Sequence, residues 1–324
     1  MHILVTGGAG YIGSAVTQQL LDAGHAVTVY DNLSNGHREA VPAGAVFVQG
    51  DILDRASLDH LLTTTPCDAV IHFAAFIEAG ESMKLPGRFF YNNVTGSTTL
   101  IDAAVAHGVR RFVFSSTAGV YASKDAPITE TDPIGPASVY GQTKFMIEEV
   151  LGWYHRLFGL RFAALRYFNA AGASPARGEA HHPESHLIPL VLQVALGQRA
   201  AISIFGDDYP TPDGTCIRDY IHIEDLASAH VLALAGLETR PHMLFNLGNG
   251  AGYSVKAVIE TAQVVTGRPI PATITPRRPG DPAILVASSD KIRRELGWTP
   301  RYPDLHEIMA SAWAWHVAHP HGYA

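Results

Sequence analysis

Tyr140 and Lys144 are the two side chains of this chain whose types and spacing point to acid–base chemistry. They lie at the start of a predicted helix over residues 140–158, and residues four apart share one helix face. A free tyrosine has a pKa of about 10 and is a poor base at neutral pH, but a fixed cation beside it favours the phenolate. Lowering that pKa by roughly three units would need about 4 kcal/mol of differential stabilisation. The pair predicts a general base if other elements place it in a site, and a surface pair if they do not.

A glycine-rich turn supplies the second candidate site. The sequence Thr-Gly-Gly-Ala-Gly-Tyr-Ile-Gly begins at residue 6, after a predicted strand and at the opening of a predicted helix. Gly7 permits a tight turn, Gly10 lets the backbone approach a pyrophosphate, and Gly13 allows close packing of helix and strand. The helix N-terminus then offers amide donors and its positive dipole to the phosphates. The turn therefore predicts a dinucleotide site.

Asp31 ends the second predicted strand, about 20 residues after the turn, where a carboxylate accepts hydrogen bonds from ribose hydroxyls. A carboxylate there repels a 2′-phosphate, which favours NAD over NADP as the cofactor. Asp51 follows the third strand and either frames the adenine or caps the next helix. Asn92 and Asn93 are likewise cofactor ligands or caps. The predicted cofactor-binding residues before the fifth strand are Gly7, Gly10, Tyr11, Ile12, Gly13, Asp31, Asn32, Leu33, Ser34, Asn35, Gly36, Asp51, Ile52, Phe73, Ala74, Ala75 and Asn92.

The elements that must position these residues alternate between β-rich runs and helical patterns, which predicts βαβ units around a parallel sheet. The predicted strands are 3–5, 26–30, 46–49, 69–72, 111–115 and 162–165, and the helices between them are 12–23, 55–62, 89–107 and 140–158. We therefore expect an α/β fold with a Rossmann-type doubly wound parallel sheet over residues 1–168.

Residues 169–324 are expected to form a smaller α/β lobe that binds substrate, with segments that pack back on the first domain. Its predicted elements are a long loop over 170–184, strands 201–205 and 216–223, and helices 186–197 (with Ser185 as N-cap), 224–234, 254–265, 290–296 and 304–318. Proline-bounded turns at 269–271 and 279–282 indicate ordered loops.

Composition narrows the classes of function. The 324 residues are 47% hydrophobic and carry a formal net charge of −7, which argues against a basic nucleic-acid or membrane-surface protein. No apolar run reaches the roughly 18 residues of a membrane span. No signal peptide precedes the first strand, and two distant cysteines favour a reducing compartment, so we expect a cytoplasmic protein. The histidines lack metal-site spacing, and no metal is expected.

The glycine turn, Tyr140–Lys144 and the run Ser115-Ser116-Thr117 after the fifth strand together resemble the extended short-chain dehydrogenase/reductase superfamily. The resemblance implies that Tyr140 is the catalytic base and that Lys144 lowers its pKa and holds the nicotinamide ribose. It implies that Thr117 orients the substrate hydroxyl, and that Phe168 contacts the cofactor together with these three residues. Two long helices, 89–107 and 140–158, pair across a two-fold axis in this superfamily, which implies a homodimer.

The second half resembles UDP-glucose (UDP-galactose) 4-epimerases, and the likeness covers essentially the whole chain. The motifs that carry it are Arg166–Asn169, His186–Pro189, Phe205–Thr211, Cys216–His222, Arg277–Asp281 and the tail from Trp313 to Tyr323, with 207–222 the most family-specific run. The resemblance assigns Arg218 and Arg278 to the diphosphate, with Tyr220 near it. The other implied substrate-binding residues are Thr117, Tyr140, Asn169, His186, Leu187, Ser203, Ile204, Phe205, Asp281 and Leu285.

Three positions depart from the family pattern. Ile77 stands where many relatives carry a lysine, so one cofactor contact is in doubt. His186 stands where many carry asparagine. Leu285 occupies the gate of the sugar pocket, commonly a tyrosine or a small residue, and leaves the acceptance of N-acetylhexosamines open.

The implied reaction interconverts UDP-galactose and UDP-glucose by transient NAD-dependent oxidation at sugar C4 through a 4-keto intermediate. An epimerase for UDP-N-acetylhexosamines or UDP-pentoses is the alternative. A nucleotide-sugar 4,6-dehydratase needs an Asp-Glu pair beside the hydroxyl residue, whereas Ala118-Gly119 follows Thr117. A non-catalytic NAD-sensing protein would be expected to lose the Tyr140–Lys144 pair.

Overall fold

The computed structural model describes residues 1–124, 126–278 and 281–323. Two compact units share the chain: the first contains Met1–Ala122, Pro133–Arg166 and Ala227–Phe245, and the second contains Ser123–Asp132, Tyr167–Leu226 and Asn246–Ala324. The units interleave along the chain, and the domain boundary expected at residue 168 stays a prediction.

The strands, in chain order, are β1 (His2–Thr6), β2 (Ala26–Asp31), β3 (Val46–Gln49), β4 (Ala69–His72), β5 (Arg111–Thr117), β6 (Arg161–Tyr167), β7 (Asn169–Ala171), β8 (Ile202–Phe205), β9 (Ile217–Arg218), β10 (Tyr220–His222), β11 (His242–Leu247), β12 (Tyr253–Ser254), β13 (Ala272–Thr275) and β14 (Ile284–Leu285).

The α-helices are α1 (Tyr11–Asp22), α2 (Arg55–Thr64), α3 (Ala79–Ser82), α4 (Pro86–Phe89), α5 (Gly96–Ala106), α6 (Val139–Phe158), α7 (Leu187–Ala195), α8 (Ile223–Gly236), α9 (Val255–Thr266), α10 (Asp290–Leu296) and α11 (Leu305–Ala318). Short 3₁₀ turns cover Arg38–Ala40 and Ala118–Val120, and a π-helix covers Phe90–Thr95.

The first unit is organised around a seven-stranded sheet with the order β11-β6-β5-β4-β1-β2-β3. Strand β1 pairs in parallel with β2 and β4, and β2–β3 and β4–β5 are parallel as well. The order of the first six strands is that of a doubly wound nucleotide-binding sheet, in which ligands bind beyond the carboxyl ends of the strands. The predicted α/β fold with a Rossmann-type sheet is confirmed.

Buried apolar strands and helix caps explain why these elements form. Ile3 and Val5 of β1 are fully buried, as expected for a strand covered by helices on both faces. The hydroxyl of Ser138 accepts a hydrogen bond from the Gly141 amide and caps α6 at its start, and Gly159, with φ of 69°, ends the helix in the left-handed conformation. This cap places Tyr140 in the first turn of α6.

The second unit packs α7, α9 and α11 together with smaller sheets. Its core includes Val191 of α7, Val258 of α9 and Ile308 of α11, all fully buried. Strand β9 lies between β12 and β14, and β10 pairs with β7. None of the helices formed by the described residues combines the length and hydropathy of a membrane span.

Several predicted elements are wrong. The strand predicted over 216–223 is broken into β9 and β10 at Asp219, whose carboxylate accepts hydrogen bonds from the amides of Asn249, Gly250 and Ala287. Ser185 is not the N-cap of α7; His186 occupies that position. The helix predicted over 89–107 is α4, a π-helix and α5 in succession. Strands β7, β11, β12, β13 and β14 were not predicted, and Pro279 and Gly280 of the predicted turn lie outside the described residues.

Candidate functional site

The glycine turn is closed by contacts that leave no room for side chains. Gly7 has a φ of +73°, and a Cβ there would lie 2.5 Å from the Ala74 amide nitrogen. A Cβ on Gly13 would lie 2.2 Å from the Gly7 carbonyl oxygen. Gly10 is the N-cap of α1, no side chain caps the helix, and its first turn contains no acidic residue. The start of α1 is therefore suited to an anion, since backbone amides and the helix dipole are not offset by a carboxylate.

Asp31 lies beside this turn at the end of β2. Its Oδ2 accepts a hydrogen bond from the Ala9 amide at 3.0 Å, and its Oδ1 accepts one from the Leu33 amide at 2.8 Å. Burial raises the pKa of this carboxyl, and the two amide hydrogen bonds oppose the rise. The structure thus brings the predicted ribose-binding carboxylate to the edge of the predicted pyrophosphate turn.

The loop after β2 is tied to the segment after β3. Asn32 Nδ2 donates to Asp51 Oδ2 at 2.9 Å, and Asp51 Oδ1 accepts from the Leu53 amide. The N-cap of α2 is Asp54 rather than Asp51, so the capping alternative for Asp51 is wrong. The remaining predicted residues of this loop are Leu33, Ser34, Asn35 and Gly36, of which the Ser34 amide donates to Asn32 Oδ1 at 2.9 Å, and the predicted Ile52 is buried.

The small-residue segment after β4 is held against α6. Asn93 accepts a hydrogen bond from the Phe76 amide at 2.9 Å and donates to the Phe76 carbonyl and the Thr143 hydroxyl. Asn92 donates to Asn93 Oδ1 at 2.9 Å. The predicted residues Phe73, Ala74 and Ala75 are half-buried in this segment. Asn93 therefore fixes the loop to the helix that carries Tyr140.

The three predicted catalytic residues meet at the end of β5 and the start of α6. The side chain of Thr117 is hydrogen-bonded to the Tyr140 phenol. The Lys144 ammonium lies 5.8 Å from the centre of the Tyr140 ring and donates to the Ser115 carbonyl at 2.8 Å. The Tyr140 amide donates to the Ser82 hydroxyl at 3.1 Å, which anchors the start of α6.

The electrostatics of the pair differ from the expectation. Burial raises the pKa of Tyr140 to about 12, the hydrogen bond from Thr117 lowers it, and the charge of Glu78 raises it. Burial also lowers the pKa of Lys144 to about 7. Desolvation, which disfavours the charged form of each buried group, therefore dominates both pKa values.

Glu78 is a residue near the site that the sequence reasoning missed. It follows Ile77, where a lysine was expected, and its Oε2 accepts a hydrogen bond from the Ile77 amide at 3.1 Å. Its Oε1 lies 3.4 Å from Asn35 Nδ2, so it joins the two loops at the sheet edge. The signal in the sequence was a single carboxylate in the otherwise uncharged run 73–80.

In the second unit, the structure brings Arg218, Asp281 and Leu285 together. Arg218 Nη2 lies 2.5 Å from Asp281 Oδ1, and Leu285 of β14 is the parallel partner of Arg218 in β9. The exposed Arg278 places its guanidinium 3.8 Å from the centre of the Phe205 ring. Two cations thus lie beside residues predicted to contact a uridine.

The other predicted substrate residues lie on neighbouring elements of this unit. Asn169 of β7 is the parallel partner of Tyr220 in β10, and its amide groups donate to the Asp219 carbonyl at 2.9 and 3.1 Å. Burial raises the pKa of Tyr220. His186 and Leu187 form the start of α7. Ser203 and Ile204 lie in β8 with Phe205.

The sequence matches the NAD dependent epimerase/dehydratase family over residues 3–248. It is 54% identical over 328 aligned residues to the UDP-glucose 4-epimerase of Halalkalibacterium halodurans, an alignment covering 100% of this chain and 98% of that protein.

Among solved structures, the UDP-glucose 4-epimerase of Brucella ovis in complex with NAD superposes with a TM-score of 0.93 at 43% identity, covering 96% of this chain and 97% of that one. The enzyme of Bifidobacterium longum in complex with NAD+ and UDP superposes with a TM-score of 0.95 at 36% identity, with 100% of both chains covered. From the fold, the grouping of Thr117, Tyr140 and Lys144 and these full-length similarities, we conclude that the chain belongs to the NAD dependent epimerase/dehydratase family.

Proposed function

We propose that this protein is an NAD-dependent isomerase that interconverts UDP-galactose and UDP-glucose at carbon 4 of the sugar. The observation that carries the proposal is the meeting of Thr117, Tyr140 and Lys144 at the sheet edge that also carries the glycine turn. The similarity to UDP-glucose 4-epimerases over the full chain supports this reaction over the alternatives.

The residues around the turn fit a dinucleotide. The uncapped start of α1 would receive the pyrophosphate, and the Asp31 carboxylate would accept hydrogen bonds from a ribose. NAD, when bound, accepts a hydride from the sugar and returns it. Asp31 also makes the site unsuited to a 2′-phosphate, which favours NAD over NADP.

Tyr140 is proposed to take the proton from the sugar 4-hydroxyl and to give it back within one turnover. The Thr117 hydroxyl stabilises the phenolate, because its hydrogen bond lowers the Tyr140 pKa. Lys144 is held by the Ser115 carbonyl with its ammonium 5.8 Å from the centre of the Tyr140 ring, where its protonated form adds positive charge. Because burial favours the neutral phenol and the neutral amine, the phenolate formed during proton transfer depends on the hydrogen bond from Thr117 for stabilisation.

Arg218 and Arg278 are proposed to hold the diphosphate of the substrate, with Tyr220 nearby. Arginine suits this role since its planar guanidinium binds phosphate oxygens with two parallel hydrogen bonds. Phe205 with Ser203 and Ile204 would contact the uracil, Asp281 the ribose, and Asn169, His186 and Leu187 the sugar side of the nucleotide. The UDP-bound relative from Bifidobacterium longum supports a UDP-sugar as the substrate class.

A homodimer is proposed from the outer face of α6. Trp153, Leu157 and Phe158 are 58%, 67% and 54% exposed there, and Tyr91 of the neighbouring π-helix is 62% exposed. Large apolar side chains grouped on one surface indicate a protein interface. The cytoplasmic location stays a prediction.

The direct test is to incubate the purified protein with UDP-galactose, UDP-N-acetylgalactosamine and a UDP-pentose, without added NAD. Conversion of UDP-galactose to UDP-glucose supports the proposal, and conversion without added cofactor shows that NAD stays bound through turnover. Faster conversion of either other substrate would replace the proposed specificity, and no conversion of any of them would overturn the epimerase assignment.

A further inference from the structure

A compact group of four side chains lies in the coil that connects β7 to α7. Glu179, His181, Glu184 and His186 each present one donor atom, and these four atoms all lie within 4.8 Å of one another. Glu179 Oε1 is 3.0 Å from His181 Nδ1 and 2.7 Å from His186 Nδ1. Glu184 Oε1 is 2.8 Å from the same His186 Nδ1. We call these four residues the His–Glu cluster.

The charges of the cluster require compensation. The side chains of Glu179 and Glu184 are only 5% and 6% exposed, and burying two carboxylates is costly unless positive charge accompanies them. Either two protonated imidazoles or one divalent cation between neutral imidazoles makes the group neutral.

The geometry favours the single cation. His186 Nδ1 faces carboxylate oxygens of both glutamates at hydrogen-bond distance, whereas one N–H donates a strong hydrogen bond to one acceptor at a time. A cation among the four atoms interacts with all of them at once. The atoms that meet in three contacts of the cluster are imidazole nitrogens and carboxylate oxygens, and both types of atom bind metal ions in proteins.

We propose that the His–Glu cluster is a structural site for a divalent zinc-type metal ion. Two imidazoles and two carboxylates match the ligand preference of zinc, whereas magnesium and calcium prefer oxygen ligands alone. Zinc–ligand bonds of about 2.0–2.2 Å in a tetrahedron place neighbouring ligand atoms roughly 3.3 Å apart. The three pairs at hydrogen-bond distance would separate by about half an ångström and more distant pairs would draw closer, movements within the reach of side-chain rotation.

Neighbouring groups hold the ligands in place. The amides of Ser185 and His186 donate to Glu184 Oε1 at 2.7 and 2.8 Å, which orients this carboxylate as outer-sphere hydrogen bonds do in metal sites. Next to Glu179, the Gly178 amide donates to the Tyr323 hydroxyl oxygen at 3.1 Å. A bound ion would thus cross-link the coil and fix the start of α7, where His186 and Leu187 are proposed to contact substrate.

The test uses full-length protein without a polyhistidine tag, stripped with a chelator and titrated with zinc sulfate, with bound zinc measured by mass spectrometry. We expect one zinc ion per chain, and at least tenfold weaker binding in His181→Gln, since loss of an outer-sphere partner alone costs 10–100-fold. His182→Gln is the matched control, because His182 is exposed in the same coil and lies outside the cluster. It should bind zinc like the original protein.

Zinc binding that is absent, or that is equal in His181→Gln and His182→Gln, would overturn the proposal and leave a hydrogen-bonded ionic cluster only. If His181→Gln fails to fold, as judged by circular dichroism, crystals of the unaltered protein grown with zinc decide the matter. An anomalous-scattering peak among the four side chains supports the site. If zinc is fully bound at other places in the crystal and no peak lies among these side chains, the proposal is overturned. Neither measurement depends on the proposed epimerase activity.

Discussion

The hydroxyl of Thr117 and the phenol of Tyr140 share a hydrogen bond across the end of β5 and the start of α6. Thr117 Oγ1 also accepts a hydrogen bond from the Gly119 amide at 3.1 Å, so the side chain is fixed by the turn that follows its own strand. The bond lowers the pKa of Tyr140 against the rise caused by burial. Thr117 therefore affects the proposed base in two ways: it holds the Tyr140 phenol in position, and it lowers the pKa of that phenol.

Replacing Thr117 with valine removes this hydrogen bond while keeping the shape of the side chain. The pKa of Tyr140 should rise, so the increase of kcat/KM with pH should move to higher pH. We expect a roughly 10–100-fold lower kcat, corresponding to a hydrogen bond to a charged group worth about 1.5–3 kcal/mol. Thr117→Ser keeps the hydroxyl and should retain nearly the original activity. Equal losses of activity in both variants would contradict the role assigned to the hydroxyl.

Tyr140→Phe removes the proposed base and leaves the fold intact. Turnover of UDP-galactose should fall by about 10²–10⁴-fold or more, the usual contribution of general acid–base catalysis, while NAD released on denaturation should match the original protein. Tyr154→Phe is the control on the same helix, since its hydroxyl bonds Asp102 instead. Full activity of Tyr140→Phe would show that another group moves the proton.

Glu78→Gln removes a negative charge that raises the pKa of Tyr140. A lower pKa means that the phenolate forms at lower pH, so the rise of kcat/KM should move in the opposite direction to that of Thr117→Val. Glu81→Gln is the matched control, because Glu81 pairs with Arg88 at 2.6 Å near the surface. A pH profile that is unchanged in Glu78→Gln, or shifted equally in the control, would show that the charge of Glu78 does not affect the pKa of the base.

The first six strands could be predicted because they are short apolar runs bounded by turn residues. Strand β11 was not predicted because its sequence, His-Met-Leu-Phe-Asn-Leu, contains no β-branched residue. The strand forms through pairing at the sheet edge. The break between β9 and β10 at Asp219 was not predicted because it depends on hydrogen bonds from amides 30 to 68 residues away. Local propensity carries no information about such distant partners.

The candidate site divides in the same way. Gly7 and Asp31 were predictable because the dinucleotide-binding motif specifies the position of each relative to the end of a strand. Glu78 was not, because its relation to Tyr140 arises from packing of the loop after β4. The direction of the Tyr140 pKa was missed for a related reason, since burial depends on the whole fold around the phenol.

Arg218→Ala tests the proposed contact with the diphosphate. Loss of a buried charge partner should weaken binding of UDP by about 2–5 kcal/mol, measured by calorimetry and as a higher KM. Because Arg218 also pairs with Asp281, the double variant Arg218→Ala/Asp281→Asn distinguishes lost phosphate binding from an isolated carboxylate. Arg294→Ala, at an exposed surface position, is the control. An unchanged KM in Arg218→Ala would contradict the assignment.

Arg166 of β6 and Glu148 of α6 form a buried ion pair. Arg166 Nη2 lies 2.5 Å from Glu148 Oε2, their side chains are 4% and 8% exposed, and the Ser116 hydroxyl donates to Glu148 Oε1. Arg166→Met leaves the carboxylate buried without its partner and should cost about 3–5 kcal/mol of unfolding free energy, measured by urea denaturation. Breaking the exposed Arg55–Asp59 pair should change the unfolding free energy much less, because water screens that pair.

The double variant Arg166→Met/Glu148→Leu removes both charges and should recover most of that loss, because apolar replacements of a buried ion pair are often neutral. Recovery would mean that the single variant is destabilised by an isolated charge. If the double variant is as unstable as Arg166→Met, the loss instead comes from packing and from the hydrogen bond of Ser116, the residue that precedes Thr117 in β5.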